Sequence, residues 1–140
     1  ERPETKFVAE FMGLRNILEG RISAISGDIV EIELADSHVA GRWTNAVSPQ
    51  VGEHAFFAVH PSHVAVEEKP NRDTDRISTS GKVKNKTYKG AEVEVEVDTT
   101  VGLFTSTSKR ANFATDSVFI SWLPELAVTG PDHKPTIHGN

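Results

Sequence analysis

The chain has 140 residues, no cysteine, and 15 basic against 20 acidic side chains, for a formal net charge of −5. That length supports one ordinary domain or two very small ones without staples, since roughly 68% of the unfolded surface can be buried. The composition excludes disulfides and thiolate metal sites, works against broad phosphate-backbone binding, and contains neither the ~18-residue apolar run of a membrane span nor a signal-peptide pattern.

Residues 3–12, Pro-Glu-Thr-Lys-Phe-Val-Ala-Glu-Phe-Met, are predicted to form one short N-terminal helix. Pro3 suits a first turn, where its missing N–H would have no partner. Phe7, Val8, Phe11 and Met12 form one apolar face, and Gly13 stops the helix. Two roles are open for this segment: packing on its own domain, or connecting to something upstream.

After Gly13 the period changes to two. Val30, Ile32 and Leu34 share a face of a half-buried strand over Asp28–Leu34, with Glu31 and Glu33 opposite. Val39–Trp43 is a short strand, and Ser48, Pro49 and Gly52 punctuate a loop. His54–Val59 and, after Pro61, His63–Glu67 are further strands. Residues 68–75 are polar and contain a proline, and are expected to link two halves.

In the second half Glu92, Glu94 and Glu96 alternate with Val93, Val95 and Val97, and Lys82, Lys84 and Lys86 alternate before them. A three-residue loop of Tyr88, Lys89 and Gly90 is predicted, setting Lys86 opposite Glu92 and placing Gly90 in the left-handed position. Opposed charges would then help the register by roughly 0.2–1 kcal/mol per pair. Val118, Ile120 and Trp122 mark a late strand ended by Pro124, and the end of the chain, with two prolines and two glycines from Gly130 to Asn140, is expected to be loose.

Each half thus holds about five strand-like segments separated by turn signals. The expected fold is all-β, with OB-like small barrels of short antiparallel strands and one short N-terminal helix. The expected organisation is a connector over 1–13, a first OB-like half over 14–68, a second over 76–130, and a flexible tail over 131–140.

No phosphate loop of the G-x-x-x-x-G-K-[ST] type occurs, no G-x-G-x-x-G, no G-x-S-x-G elbow and no cysteine nucleophile. The chain is therefore expected to be catalytically silent and to hold no cofactor. His60-Pro61-Ser62-His63 is read as two solvent-facing turn histidines rather than a metal site, because Pro61 blocks helical presentation and zinc ligands are spaced more tightly. Asp73 and Asp75 lack the glycine and distal glutamate of a calcium loop. Trp43 and Trp122 are read as core or interface rather than stacking platforms.

Phe7-Val8-Ala9-Glu10-Phe11-Met12-Gly13 followed by Asn16-Ile17-Leu18-Glu19-Gly20 resembles the segment leaving the nucleotide-binding domain in ATP-binding subunits of ABC importers, roughly F-V-A-x-F-[ILM]-G-x-x-N-x-[LF]-x-[GA]. Phe57-Ala58-Val59-His60-Pro61-Ser62-His63-Val64 resembles the family's [VI]-R-P-E-x-[VI] strand and turn. Gly81-Lys82-Val83 with Tyr88-Lys89-Gly90 resembles its G-x-V…[YL]-x-G hairpin, and Val118–Trp122 its last strand. The order and spacing of these pieces, over residues 3 to about 128, carry the resemblance.

The resemblance implies the transport-associated OB-type (TOBE) C-terminal regulatory region of such a subunit. It implies a missing upstream ATPase domain that holds ATP and Mg, permease subunits in the inner membrane, a cytoplasmic peripheral location, and a second copy of the chain as partner. The Phe7, Val8, Phe11 and Met12 face is then the candidate dimer or docking surface. A regulatory protein or a small anion is the implied effector.

The first half also resembles the molybdate-binding type of regulatory domain, S-x-R-N-x-[LF]-x-G with a later I-K-A-x-x-V. Arg15 and Asn16 match; Gly13-Leu14 stands where the serine is wanted and Val59-His60-Pro61 where Ile-Lys-Ala is wanted. A buried oxyanion needs such donors, so molybdate, tungstate or sulfate is expected to bind weakly or not at all. Arg15, Asn16, His60 and Ser62 are the candidate replacement donors. A nucleic-acid-binding OB fold is disfavoured by the charge and the 7% aromatic content.

Overall fold

The computed structural model describes residues 15–109 and 112–132. The expected helix over 3–12, with Phe7, Val8, Phe11 and Met12, lies outside those residues, as does the chain from 133 onward. Ten strands make up the described chain: β1 (Ile17–Ser26), β2 (Ile29–Leu34), β3 (Ser37–Trp43), β4 (His54–Val59), β5 (Ala65–Glu67), β6 (Ile77–Lys89), β7 (Glu92–Thr99), β8 (Gly102–Ser108), β9 (Ser117–Trp122) and β10 (Ala127–Pro131). The only helical segments among the described residues are two single 3-10 turns, Pro61–His63 and Pro124–Leu126.

The strands form a closed barrel in the order β1-β2-β3-β10-β4 and a five-stranded sheet in the order β5-β9-β6-β7-β8. Closure depends on β10, which runs antiparallel to β4 (Val128 beside Ala58) and parallel to β3 (Val128 beside Arg42). The expected boundaries are corrected here. Residues 127–131 complete the first barrel instead of ending the second half, and Gly130 and Pro131 are strand rather than tail. A Val-Thr pair followed by glycine and proline gives no period to read. Only the gap between β3 and β4 supplies its partners.

The alternation in β2 and β4 sends Val30, Ile32, Ala55, Phe57 and Val59 to the barrel interior. β1 crowds β2 closely enough that a Cβ on Gly20 would lie 2.4 Å from the Glu33 carbonyl oxygen. Glycine is required there because any side chain would push the two strands apart. Val93, Val95, Val97, Phe104, Val118, Ile120 and Trp122 from the sheet join the barrel residues in a single cluster. The two halves share one core, as their size demands, because neither alone would bury enough apolar surface.

The β6–β7 hairpin departs from the expected register. Its loop is Gly90-Ala91, with Gly90 at φ +66°, and Lys89 lies opposite Glu92. A positive φ at the first loop position suits a two-residue hairpin turn that begins with glycine. Lys86 therefore faces Val95, not Glu92, and Lys84 is the extra residue of a bulge between Val83 and Asn85. Lys86 is accommodated there with its ammonium 5.6 Å from the centroid of the Phe113 ring. Past the bulge Val83 returns to face Val97, so the mismatch is local.

Candidate functional site

The chain's chemistry collects where the barrel meets the sheet. Asn16, just ahead of β1, has φ +60°, a conformation that asparagine adopts more readily than most residues. That turn aims its buried amide into the seam between β4 and β8. Its Nδ2 donates to the carbonyls of Val59 (3.1 Å) and Thr105 (2.8 Å), and its Oδ1 accepts the Thr105 backbone N–H (2.6 Å). One side chain thus does for Thr105 what a neighbouring strand would do. Beside it Ser106 Oγ donates to the Val64 carbonyl, so side chains tie β8 to the chain on either side of the Pro61–His63 turn.

Behind the seam Trp122 lies 5.4 Å from Phe104, stacked, and 5.2 Å from Phe57, tilted. Its Nε1 donates to the Ala40 carbonyl on β3 at 3.0 Å. The indole is therefore a joint between β9 and the barrel, with its N–H satisfied as a buried tryptophan requires. Trp43 is half-buried on the core's rim and donates to the Val47 carbonyl at 2.7 Å. Both tryptophans sit where the sequence expects them.

The four candidate anion donors do not converge as free groups. Arg15 donates to Glu94 at 2.8 Å, and Lys89 reaches the same carboxylate oxygen at 3.3 Å. The Arg15 hydrogen bond, aided by Lys89, holds the Glu94 carboxyl below the usual carboxylate range, against a smaller opposing effect of desolvation. Asn16 has both amide N–H groups committed to carbonyls. His60 Nδ1 and Ser62 Oγ are 2.8 Å apart, and the Ser62 N–H donates to the same ring nitrogen at 3.1 Å, capping the turn Pro61–His63. Asn16 and His60 do lie at adjoining corners, since Asn16 bonds the residue before His60.

Sequence reasoning missed a cleft of about 430 Å³ beside that turn, lined by Ser62, His63, Arg76, Thr107, Ser108 and Lys109. Arg76 is already engaged, donating to the Ser121 hydroxyl and carbonyl. Nothing in the local pattern links residues so far apart in the chain. Asp73 is likewise occupied: its carboxylate accepts the Asp75 N–H in a chain of tight turns. Among the described residues no three His, Cys, Asp or Glu side chains gather as a metal group, and no helix is long and apolar enough to cross a membrane.

The architecture defines a class: an all-β module in which a small closed barrel shares its core with a second, partly closed sheet, and whose polar residues join strands. No protein-family model matches the chain. It is 33% identical over 140 residues to the spermidine/putrescine import ATP-binding protein PotA of Thermobifida fusca, covering 94% of this chain and 35% of that protein. It is 28% identical to the protein of the same name from Nitrosomonas eutropha, covering 89% of this chain and 36% of the other. The chain thus spans about a third of the length of these curated relatives. The cytoplasmic molybdate-binding protein ModG, solved with molybdate bound, superposes with a TM-score of 0.71 at 18% identity, covering 85% of this chain and 97% of ModG. The resemblance to ATP-binding subunits of ABC importers is borne out by the first two relatives, and the OB-like all-β fold by the third.

Proposed function

We propose that the chain is the C-terminal regulatory module of an ATP-binding subunit of an ABC importer. The observation that carries this reading is the match along nearly the whole chain to about a third of each importer subunit. The chain itself lacks every phosphate-binding motif that ATP hydrolysis needs. ATP and Mg are assigned to an ATPase domain preceding Glu1, and solute passage to permease subunits that hold the assembly at the cytoplasmic face of the inner membrane. The names of the relatives point to a polyamine as the parent's cargo. The parent is expected to work in pairs, so a second copy is the proposed partner, with the Phe7, Val8, Phe11 and Met12 face as the candidate contact.

The coding sequence upstream of Glu1 is the direct test. A phosphate loop and an ABC signature there support the reading; a start codon or a secretion signal removes it. Purified chain should not turn over ATP above a buffer blank. ATP hydrolysis free of contaminating ATPase would overturn the assignment of catalysis to another domain.

The fold shared with ModG keeps an oxyanion-sensing reading in view. The commitments of Asn16 to carbonyls and of Arg15 to Glu94 favour weak binding or none. Calorimetric titration with molybdate, tungstate and sulfate decides it, and micromolar affinity would establish an anion site. A regulatory protein is the remaining class of effector.

A further inference from the structure

β8 is an edge strand of the five-stranded sheet, and its outer side is only partly satisfied. Asn16 donates to the Thr105 carbonyl at 2.8 Å and accepts the Thr105 N–H at 2.6 Å. That double exchange is what a strand residue makes across an antiparallel ladder, so the Thr105 N–H and C=O point away from β7. The register of β8 on β7 runs without a shift from Gly102 beside Thr99 to Ser108 beside Val93. The N–H and C=O of Thr107, two residues on, therefore point the same way. Among the described residues no backbone group bonds to Thr107 on that side.

Thr107 lines the cleft of about 430 Å³ described above, together with Val66 of the opposite edge strand β5 and Leu126. Leu126 is 45% exposed, unusual for a large apolar side chain in a chain of this charge. Arg76 and Lys109 also line the cleft, and no Asp or Glu does, although the chain has 20 acidic against 15 basic residues. Among the described residues the ion pairs belong to Arg15, Arg42 and Lys89. Lys109 has no carboxylate partner among them, and Arg76 spends only Nε and Nη2, both on Ser121.

We propose that this cleft docks an extended acidic segment of a partner protein, which pairs with the β8 edge at Thr107 and sets its carboxylates against Lys109 and Arg76. The outward donor and acceptor of Thr107 select a peptide strand over a small anion. Val66 and Leu126 suit the apolar side chains that alternate with charged ones along such a strand. The absence of any lining carboxylate selects an acidic guest over a basic one. Asn16 sets the limit of the site, because it already occupies the pairing position at Thr105. The proposal gives the regulatory reading a chemical class of effector protein. It concerns this chain's own edge, so a start codon upstream would remove the importer assignment and leave the docking site standing.

The test is selection from a display library of short random peptides on the full folded chain, followed by hydrogen exchange of the chain with the most enriched peptide. Enrichment of Asp or Glu alternating with apolar residues is expected, with the Thr107 amide protected on binding. Thr107→Pro removes the outward N–H and no bond to β7. Lys109→Glu reverses the charge of an exposed side chain and decides the matter should the proline disturb the fold. Each should weaken the same peptide roughly 5- to 10-fold, with β2 and β3 amides unchanged. No enrichment, or enrichment without acidic residues, would overturn the proposal. Binding that leaves the Thr107 amide exchanging as before would make the cleft a carboxylate site rather than a strand-pairing edge. Thr107 protection that rises with protein concentration in the absence of peptide would assign the edge to a second copy. Either of these also overturns it.

Discussion

The barrel and the sheet solve the same problem differently. Both have five strands, and both must avoid open edges that would template pairing with other chains. The barrel closes with backbone: β10 returns from the end of the chain and pairs on both sides. The sheet covers part of its β8 edge with side chains, Asn16 against Thr105 and Ser106 against Val64. A backbone ladder is distributed over many residues, whereas a side-chain bridge is concentrated in two. The sheet's seam is therefore where single substitutions should open the molecule.

The largest effect is expected from removing what makes barrel and sheet one body. Trp122→Ala should cost about 3–5 kcal/mol, the usual toll of a buried large aromatic. Trp43 then remains as the sole tryptophan and reports the barrel rim. Its fluorescence and the far-UV circular dichroism should lose structure in one coincident transition; two separated transitions would show that the barrel stands alone.

Asn16→Ala should strike the joint between β4 and β8 and spare β2 and β3. It leaves the carbonyls of Val59 and Thr105 and the Thr105 N–H without their partner, at about 1–3 kcal/mol per buried group that finds no other. Hydrogen exchange should show the Thr105 amide opening faster, with β2 and β3 amides unchanged. Uniform acceleration through both halves would mean that the seam is not a separate weak point. Ser106→Ala should lower stability by about 1 kcal/mol, with the change confined to exchange around Val64 and β8.

The smallest effect is expected at the clasp on the surface. Arg15–Glu94 is solvent-screened, and such pairs contribute about 0–1 kcal/mol, so Asn16 and not Arg15 anchors the entering chain. Because the folded state holds the Glu94 pKa below its ordinary value, the contribution is present above the ordinary carboxylate range and is lost as pH falls through the lowered value. Denaturant midpoints of the parent chain and of Glu94→Gln should differ slightly at neutral pH and converge in acid. A gap that widens on acidification would contradict the ion pair as its source.

Strands that alternate were legible residue by residue. The Val30/Ile32, Val93/Val95/Val97 and Val118/Ile120 patterns each fall on strands with those faces inward. The hairpin register was not, because charge pairing between lysines and glutamates is worth less than the turn that Gly90-Ala91 makes, and Lys86 found an aromatic ring outside the hairpin. Asn16 was legible as a family position but not in its role. Read as a candidate donor to an anion, it spends both donors on carbonyls 43 and 89 residues away.

Composition, period and missing motifs by themselves determined that this protein is all-β, free of disulfides and of any phosphate loop, since these depend only on which residues occur and at what spacing. They also carried the order of motifs on which the resemblance to importer subunits rests. Tertiary structure alone decided that β10 closes the first barrel, that Trp122 bridges to Ala40, and that Asn16 and Ser106 cross the sheet's seam. Each of these joins residues far apart in the chain, and a local pattern holds no record of which distant backbone will supply the missing partner.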